Sequence, residues 1–342
     1  MAGISKMTNG GKGKKKGMVV VVMGATATGK SKLAVDLALR FGGEVVNTDK
    51  VQVHDGLDVV TNKATAREQA GVPHHLIGGV HPDADYSVSD FCRDVTRAVE
   101  SVVARSRVPV LAGGSNRYLE ALLDGGGDRA FRARYDLCFL WVDADLTVLD
   151  QYVRDRVDCM VEQGLVAEVR EFYSPDADYS RGIRRAIGVP EMDGYFRLQA
   201  AGALDRDDAL QASVLAAAVD EIKENTCGLV RRQLRKIHRF RGLPGWSLRR
   251  LDVTRVLALK VGEVDDVEAE RAAWEADVVA PATWVVKMFL GGMLLDGGRD
   301  GMAAKETVIV AGAGAVAESC GLQLVEAAPS RGFHGRKAAA AV

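Results

Sequence analysis

The feature that most constrains this chain is an apolar run, Met18-Val19-Val20-Val21-Val22-Met23, that stops abruptly at Gly24-Ala25-Thr26-Ala27-Thr28-Gly29-Lys30-Ser31. A valine-rich run with no polar alternation reads as a strand buried on both faces. The eight residues after it fit G-x-x-x-x-G-K-S/T, and Leu33, Leu37 and Phe41 then follow at helical spacing. In a strand–loop–helix of this kind the glycines let the backbone curl until successive N–H groups point inward. The positive end of the helix faces the same place. Lys30 adds a point charge, and the Ser31 hydroxyl can ligate Mg2+. The chain is therefore expected to grip phosphates, although the motif does not say which ones. A glycine turn without a ligand is the bland alternative, and the flanking strand and helix argue against it.

The first half continues in the same rhythm. Residues 44–49, 108–112 and 138–142 read as further short strands, and residues 88–105 carry Phe91, Val95, Val99 and Val102 at helical steps. Ser87, three residues before Asp90, can cap that helix. Strands alternating with helices predict an α/β fold, a parallel sheet flanked by helices on both faces. Sites in such sheets lie beyond the carboxyl ends of the strands, here Gly24, Asp49, Gly113 and Asp143. Asp143 is either the metal-binding aspartate of a nucleotide triphosphatase or small-molecule kinase, or an aspartate that merely ends a strand.

The second half is expected to be mostly helical. Residues 148–163 form an amphipathic stretch that stops at Gly164. Residues 213–240 carry Leu215, Val219, Ile222, Thr226, Val230, Leu234 and Ile237 on one face. The last turns of that stretch are basic, with Arg231, Arg232, Arg235, Lys236, Arg239 and Arg241. Four parts are expected: a basic disordered tail over residues 1–17, a phosphate-loop α/β core over 18–146, a helical region over 147–290 that completes the core and a substrate channel, and a Gly- and Ala-rich extension over 291–342.

The formal net charge is −1, from 45 basic and 46 acidic residues, which argues against a protein that coats nucleic acid by charge alone. The five cysteines show neither C-x-x-C spacing nor alternation with histidine, so no disulfide framework or zinc site is expected. No apolar run approaches the ~18 residues of a membrane span. The N-terminal residues lack both the apolar core of a signal peptide and the arginine-rich pattern of a transit peptide.

Other segments narrow the phosphate reading. Asn47-Thr48-Asp49-Lys50-Val51-Gln52-Val53, Gly56-Leu57-Asp58-Val59-Val60-Thr61-Asn62-Lys63 and Gly71-Val72-Pro73-His74-His75-Leu76 occur in order. They are followed by Ala112-Gly113-Gly114-Ser115-Asn116, by Arg181-Gly182-Ile183-Arg184-Arg185-Ala186-Ile187-Gly188-Val189-Pro190-Glu191, and by Arg232-Gln233. Over roughly residues 18–290 this pattern resembles the isopentenyltransferase family, most closely the plant adenylate isopentenyltransferases that make cytokinin precursors. Two positions depart from it: Ala27 stands where glycine is commoner, a change expected to cost little, and His54 where tyrosine is usual.

The resemblance implies that dimethylallyl diphosphate loses its diphosphate while the prenyl group joins the N6 amine of adenine in ATP, ADP or AMP. It assigns Asp49 as the general base. It places the donor's diphosphate in the loop, on Gly24, Ala25, Thr26, Ala27, Thr28, Gly29, Lys30 and Ser31, with Mg2+ on Ser31. Arg232 and Lys236, four apart on one helix face, could reach the same charge or could form a solvated basic face. Lys50, Asn62, Lys63, Ser115 and Asn116 fall on the acceptor side of the family pattern, where the alternative is ordinary turn residues. His74 and His75 read as structural. A sister group prenylates tRNA. Lys50 after the aspartate, in place of the usual serine, the stretch Val60-Thr61-Asn62-Lys63 and the lack of a C-terminal zinc finger favour a free nucleotide over nucleic acid. The chain is expected to be a cytoplasmic monomer, with the plastid as the alternative compartment.

Overall fold

The computed structural model describes residues 16–125, 130–262 and 266–293. Its six strands are, in chain order, β1 Gly17–Gly24, β2 Gly43–Asn47, β3 His74–His75, β4 Val108–Ala112, β5 Tyr135–Asp143 and β6 Leu248–Asp252. They lie side by side as β3-β2-β4-β1-β5-β6, and every pairing is parallel. The four expected strands are all present. β2 ends at Asn47, so Asp49 sits just past the sheet rather than at the last rung. β3 has two residues, too few to show a period. β6 is an edge strand whose Arg249 and Arg250 are exposed, so it carries no apolar run.

β1 shows why its valines are unbroken. Val20 and Val22 enter the core on one face, while Val19, Val21 and Met23 enter the core on the other. The first face is covered by the helix Lys30–Phe41 through Leu33 and Leu37, and by the C-terminal helices Thr254–Val261 and Ala280–Leu290 through Leu257, Val285 and Phe289. The second is covered by the helix Val88–Ala104 through Phe91, Val95 and Val99, and by the end of the long helix Asp208–Arg241 through Ile237 and Phe240. A third cluster joins Leu57, Val157, Leu165, Ile183, Phe196 and Ile222. Each fully buried Val or Leu contributes roughly 1.5–3 kcal/mol, so the sheet is a rigid base for the loops at its end.

The helix Val88–Ala104 begins with the expected capping box. Ser87 Oγ accepts from the Asp90 N–H at 3.1 Å, and the Asp90 carboxylate accepts from the Ser87 N–H at 3.1 Å. The helix Leu146–Glu162 ends just before Gly164, and the long basic-ended helix runs from Asp208 to Arg241. No helix among the described residues is long and apolar enough to cross a membrane. Residues 1–15 and 294–342 lie outside the described residues, and with them most of the expected tail and extension.

The connection after β1 packs on one face of the sheet, whereas the helices before and after β4 pack on the other. The carboxyl ends of β1, β4 and β2 thus meet at a topological switch point, where open parallel sheets leave a crevice.

Candidate active site

The phosphate loop leaves β1 through Gly24. A Cβ there would meet the Val142 carbonyl at 2.5 Å and Thr28 Oγ1 at 2.6 Å. Gly29 holds φ +86°, and a Cβ on it would meet the ring of Trp274 at 2.9 Å. Between them Ala27 takes φ +69°. That left-handed conformation costs a residue with a Cβ about 1 kcal/mol. The end glycines do not remove this cost, so the alanine in the middle of the loop is less innocuous than expected.

Lys30 opens the helix behind the loop and is 9 % exposed. Its ammonium donates to the Ala25 carbonyl at 2.5 Å. Burial pushes its pKa down to about 8; Asp49 opposes that shift and Arg156 adds to it. Arg156 comes from the helix Leu146–Glu162 and donates to Thr26 Oγ1 at 3.0 Å. Burial also lowers the Arg156 pKa, and its buried Nε has no hydrogen-bond partner among the described residues. Two desolvated cations therefore converge on one small loop, and an unmatched donor remains beside it. Such an arrangement is costly without an anion and favourable with one. Ser31 is exposed in the first turn of the same helix.

Asp49 stands in the turn after β2. Its backbone N–H donates to Asn47 Oδ1 at 3.0 Å, and the Asn47 amide donates back to the Asp49 carbonyl at 3.1 Å and to the Leu76 carbonyl at 2.8 Å. Asp49 Oδ1 accepts from the Val51 N–H at 2.9 Å. The other oxygen, Oδ2, lies 3.4 Å from where a Cβ on Gly114 would sit. The carboxylate is thus fixed at the mouth of the crevice, close enough to the phosphate loop to act on Lys30.

The remaining expected residues divide into groups. The Lys50 N–H donates to Ser115 Oγ at 2.9 Å, which joins the β2 and β4 turns. The Lys50 ammonium lies 5.9 Å from the Tyr118 ring centre, and burial, then Arg185, lowers its pKa. Asn116 is buried, its Nδ2 is 3.4 Å from the Gln233 carbonyl, and its Oδ1 has no partner among the described residues. Asn62 takes φ +51°, and its carbonyl accepts from the Gln52 amide at 3.0 Å. Lys63 has its ammonium on the Gly56 carbonyl and on Asp58, both at 2.7 Å. Lys236 pairs with Glu120 at 3.2 Å, and Arg232 is exposed. Neither bonds to residues 24–31 among the described residues. Gln233, between them in sequence, does: its Oε1 accepts from the Thr26 N–H at 2.7 Å. A helix turns about 100° per residue, so the face shared by Arg232 and Lys236 is not the face that reaches the loop.

Other expectations resolve locally. Asp143 is 8 % exposed and accepts from Arg250 Nε at 2.7 Å, which favours its reading as a strand end. His75 donates into a pair with the buried Glu44 at 2.7 Å, and Arg105 binds the same carboxylate, so this histidine belongs to a structural cluster. His54 is fully buried, with Nε2 unpartnered among the described residues.

Two residues at the loop, Arg156 and Trp274, belong to no motif in the sequence, and Gln233 stands in the motif Arg232-Gln233 without a role of its own. Arg156 adjoins Val157 in a helix whose buried positions are Leu149, Val153, Val157 and Met160, and Gln233 falls between buried Val230 and Ile237. A polar residue on or beside an apolar stripe is a readable signal, though it does not name the partner. Trp274, which also donates to Asp36 at 2.8 Å from 238 positions away, gives no such signal.

Comparison with known proteins shows the family. The model of the IPP transferase family matches residues 52–130 and 126–239. Adenylate isopentenyltransferase 3, chloroplastic, of Arabidopsis thaliana is 48 % identical over 277 residues, 80 % of this chain and 80 % of that protein. Adenylate isopentenyltransferase 7, mitochondrial, of the same plant is 44 % identical over 80 % of each chain. A solved eukaryotic dimethylallyltransferase acting on tRNA shares the fold, with a TM-score of 0.65 at 21 % identity over 82 % of this chain and 81 % of that one. The chain belongs to the IPP transferase family, in the group of the adenylate isopentenyltransferases.

Proposed function

We propose that this enzyme transfers the dimethylallyl group of dimethylallyl diphosphate to the N6 amine of adenine in ATP, ADP or AMP, the entry step of cytokinin synthesis. The observation that carries the reading is the placement of one fixed carboxylate, Asp49, beside a loop that concentrates two desolvated cations, Lys30 and Arg156. The names of the adenylate isopentenyltransferases supply the acceptor.

The donor's diphosphate lies in the loop of residues 24–31. As the C1–O bond breaks, the electron pair leaves with the diphosphate, and the Lys30 ammonium and Arg156 Nε take up the growing charge. The adenine N6 bonds to C1 and loses a proton to Asp49. The exocyclic amine is a weak nucleophile because its lone pair is delocalised into the ring, which is why a fixed base is needed. Lys50, Ser115 and Asn116 line the acceptor side, and Asn62 and Lys63 shape the loop beside it. Arg232 adds positive charge from farther out, while Lys236 is held by Glu120.

Mg2+ fits this site as a companion of the substrate. Among the described residues no cluster of three or more His, Cys, Asp or Glu could hold a metal. Mg2+ instead prefers one or two protein oxygens, water and substrate phosphates. Ser31 would be its protein ligand. When bound, it neutralises charge on the leaving diphosphate. One of the relatives described above is named chloroplastic and the other mitochondrial, which favours an organelle, the plastid first, over the cytoplasm.

Incubation with dimethylallyl diphosphate, Mg2+ and each adenine nucleotide, or with tRNA, followed by mass identification of products, tests the reading. It expects N6-prenylated nucleotide. Prenylated tRNA as the sole product would replace it with the sister activity.

A further inference from the structure

Gln233 is the one strongly polar side chain on the buried stripe of the helix Asp208–Arg241, at 8 % exposure. Its amide is used at both ends. Oε1 accepts from the Thr26 N–H of the phosphate loop at 2.7 Å, and Nε2 donates to the Gly114 carbonyl in the turn after β4 at 3.0 Å. Thr26 is also held from its other side, since its hydroxyl accepts from Arg156. Gly114 in turn lies between the glutamine and Asp49: a Cβ on it would meet Gln233 Nε2 at 2.5 Å and Asp49 Oδ2 at 3.4 Å. One buried amide therefore ties the loop after β1 to the turn against which Asp49 stands.

We infer that Gln233 is a positioning residue for prenyl transfer, a clamp that sets the distance between the donor's diphosphate and the Asp49 side of the crevice. The inference rests on the proposed reading of the site. Displacement at C1 needs the leaving oxygen and the incoming nitrogen held on opposite sides of that carbon. A misplacement of about 1 Å costs on the order of 100-fold in rate. Gln233 binds neither substrate's charged groups in this scheme. The Thr26 N–H that it occupies is withdrawn from phosphate binding, which leaves the diphosphate to Lys30, Arg156 and the rest of the loop. Loss of the clamp therefore falls on turnover rather than on affinity.

The chemistry of the clamp is specific. The Thr26 N–H needs an acceptor and the Gly114 carbonyl needs a donor, and a neutral amide offers one of each. A glutamate carboxylate would keep the acceptor for the Thr26 N–H but set its second oxygen, also an acceptor, against the Gly114 carbonyl, whereas a protonated glutamic acid again carries one donor and one acceptor. A leucine carries neither.

The test measures steady-state transfer from dimethylallyl diphosphate to ATP with Mg2+ by wild type, Gln233→Glu and Gln233→Leu, with melting curves, from about pH 5 to about pH 8. Both variants are expected to lose about 100-fold in kcat, with KM for each substrate changed less than about threefold. The ratio of Gln233→Glu to wild type at the same pH should rise about tenfold toward the acidic end as the carboxyl takes up its proton, while the Gln233→Leu ratio stays flat. A merely structural role would move neither the kcat-to-KM split nor this ratio. Wild-type kcat in Gln233→Leu, or a loss confined to KM, overturns the clamp. Should Gln233→Leu melt below the assay temperature, Gly114→Ala decides, because it displaces the same amide from the other end; a kcat-selective loss supports the clamp and an unchanged kcat overturns it. Absence of transfer by the wild type itself contradicts the proposed function instead.

Discussion

Lys30 and Lys63 are both lysines with almost no exposed side chain, yet their surroundings are opposite. The Lys63 ammonium has a carboxylate and a carbonyl at 2.7 Å, from Asp58 and Gly56. Lys30 bonds to a single carbonyl, loses basicity to burial, and faces a second desolvated cation in Arg156. The loop of residues 57–63 satisfies its own charges and so keeps its shape. The loop of residues 24–31 gathers two desolvated cations whose positive charge Asp49 offsets only in part. The first is built as a wall and the second as a seat for an anion that arrives from outside.

The largest effect tests the residue between the two regions. Asp49→Ala should lower kcat about 1,000-fold while dimethylallyl diphosphate binds as before, measured by rapid-quench transfer and by titration calorimetry. An unchanged kcat would remove Asp49 as the base.

Next comes the charge of the phosphate loop. Lys30→Met should weaken binding of dimethylallyl diphosphate about 50-fold, yet raise the melting temperature of the free enzyme at pH 7. The Lys30 proton leaves the folded protein near pH 8 and the unfolded chain near pH 10.5. Between those values the unfolded chain binds more protons, so wild-type stability rises with pH. The advantage of Lys30→Met should therefore be full below pH 8 and shrink above it. Melting curves across that window check the sign. A variant that is less stable than wild type throughout would mean that the loop does not store this cost.

Lys63→Ala makes the opposite kind of change. It frees Asp58 and the Gly56 carbonyl, and should raise KM for the nucleotide about tenfold with the donor's KM unaltered. The smallest effect is Ala27→Gly, which relieves the left-handed alanine and should stabilise the protein by up to about 1 kcal/mol without altering donor affinity; chemical denaturation measures it.

The same contrast explains what could be read in advance. Strands β1, β4 and β5 are double-sided apolar runs, and such runs are visible in any sequence. β6 hides because its exposed arginines break the pattern, and Asp143 is ambiguous in the sequence because its partner, Arg250, comes from that strand. The phosphate loop is legible because one contiguous segment supplies both the turn and the charge. Its supports are not contiguous. Arg156 is 130 positions from Thr26 and Gln233 is 207, and only the folded sheet brings them together. The charge and shared face of Arg232 and Lys236 point toward the diphosphate in the sequence, whereas the helix phase turns the uncharged Gln233 inward. On the acceptor side the motif residues are legible, but the turn bonds that decide what each one does, such as Lys50 N–H to Ser115 and Lys63 to Asp58, have no signature of their own.

The central claim is that the loop of residues 24–31 seats the prenyl donor and that ATP enters only as acceptor. Titration of dimethylallyl diphosphate and of ATP, each with Mg2+, into wild type and Lys30→Met tests it most directly. The account predicts that the variant loses most of its affinity for dimethylallyl diphosphate and binds ATP nearly as wild type does. Retained donor binding with lost ATP binding would put the nucleotide's phosphates in the loop and contradict it.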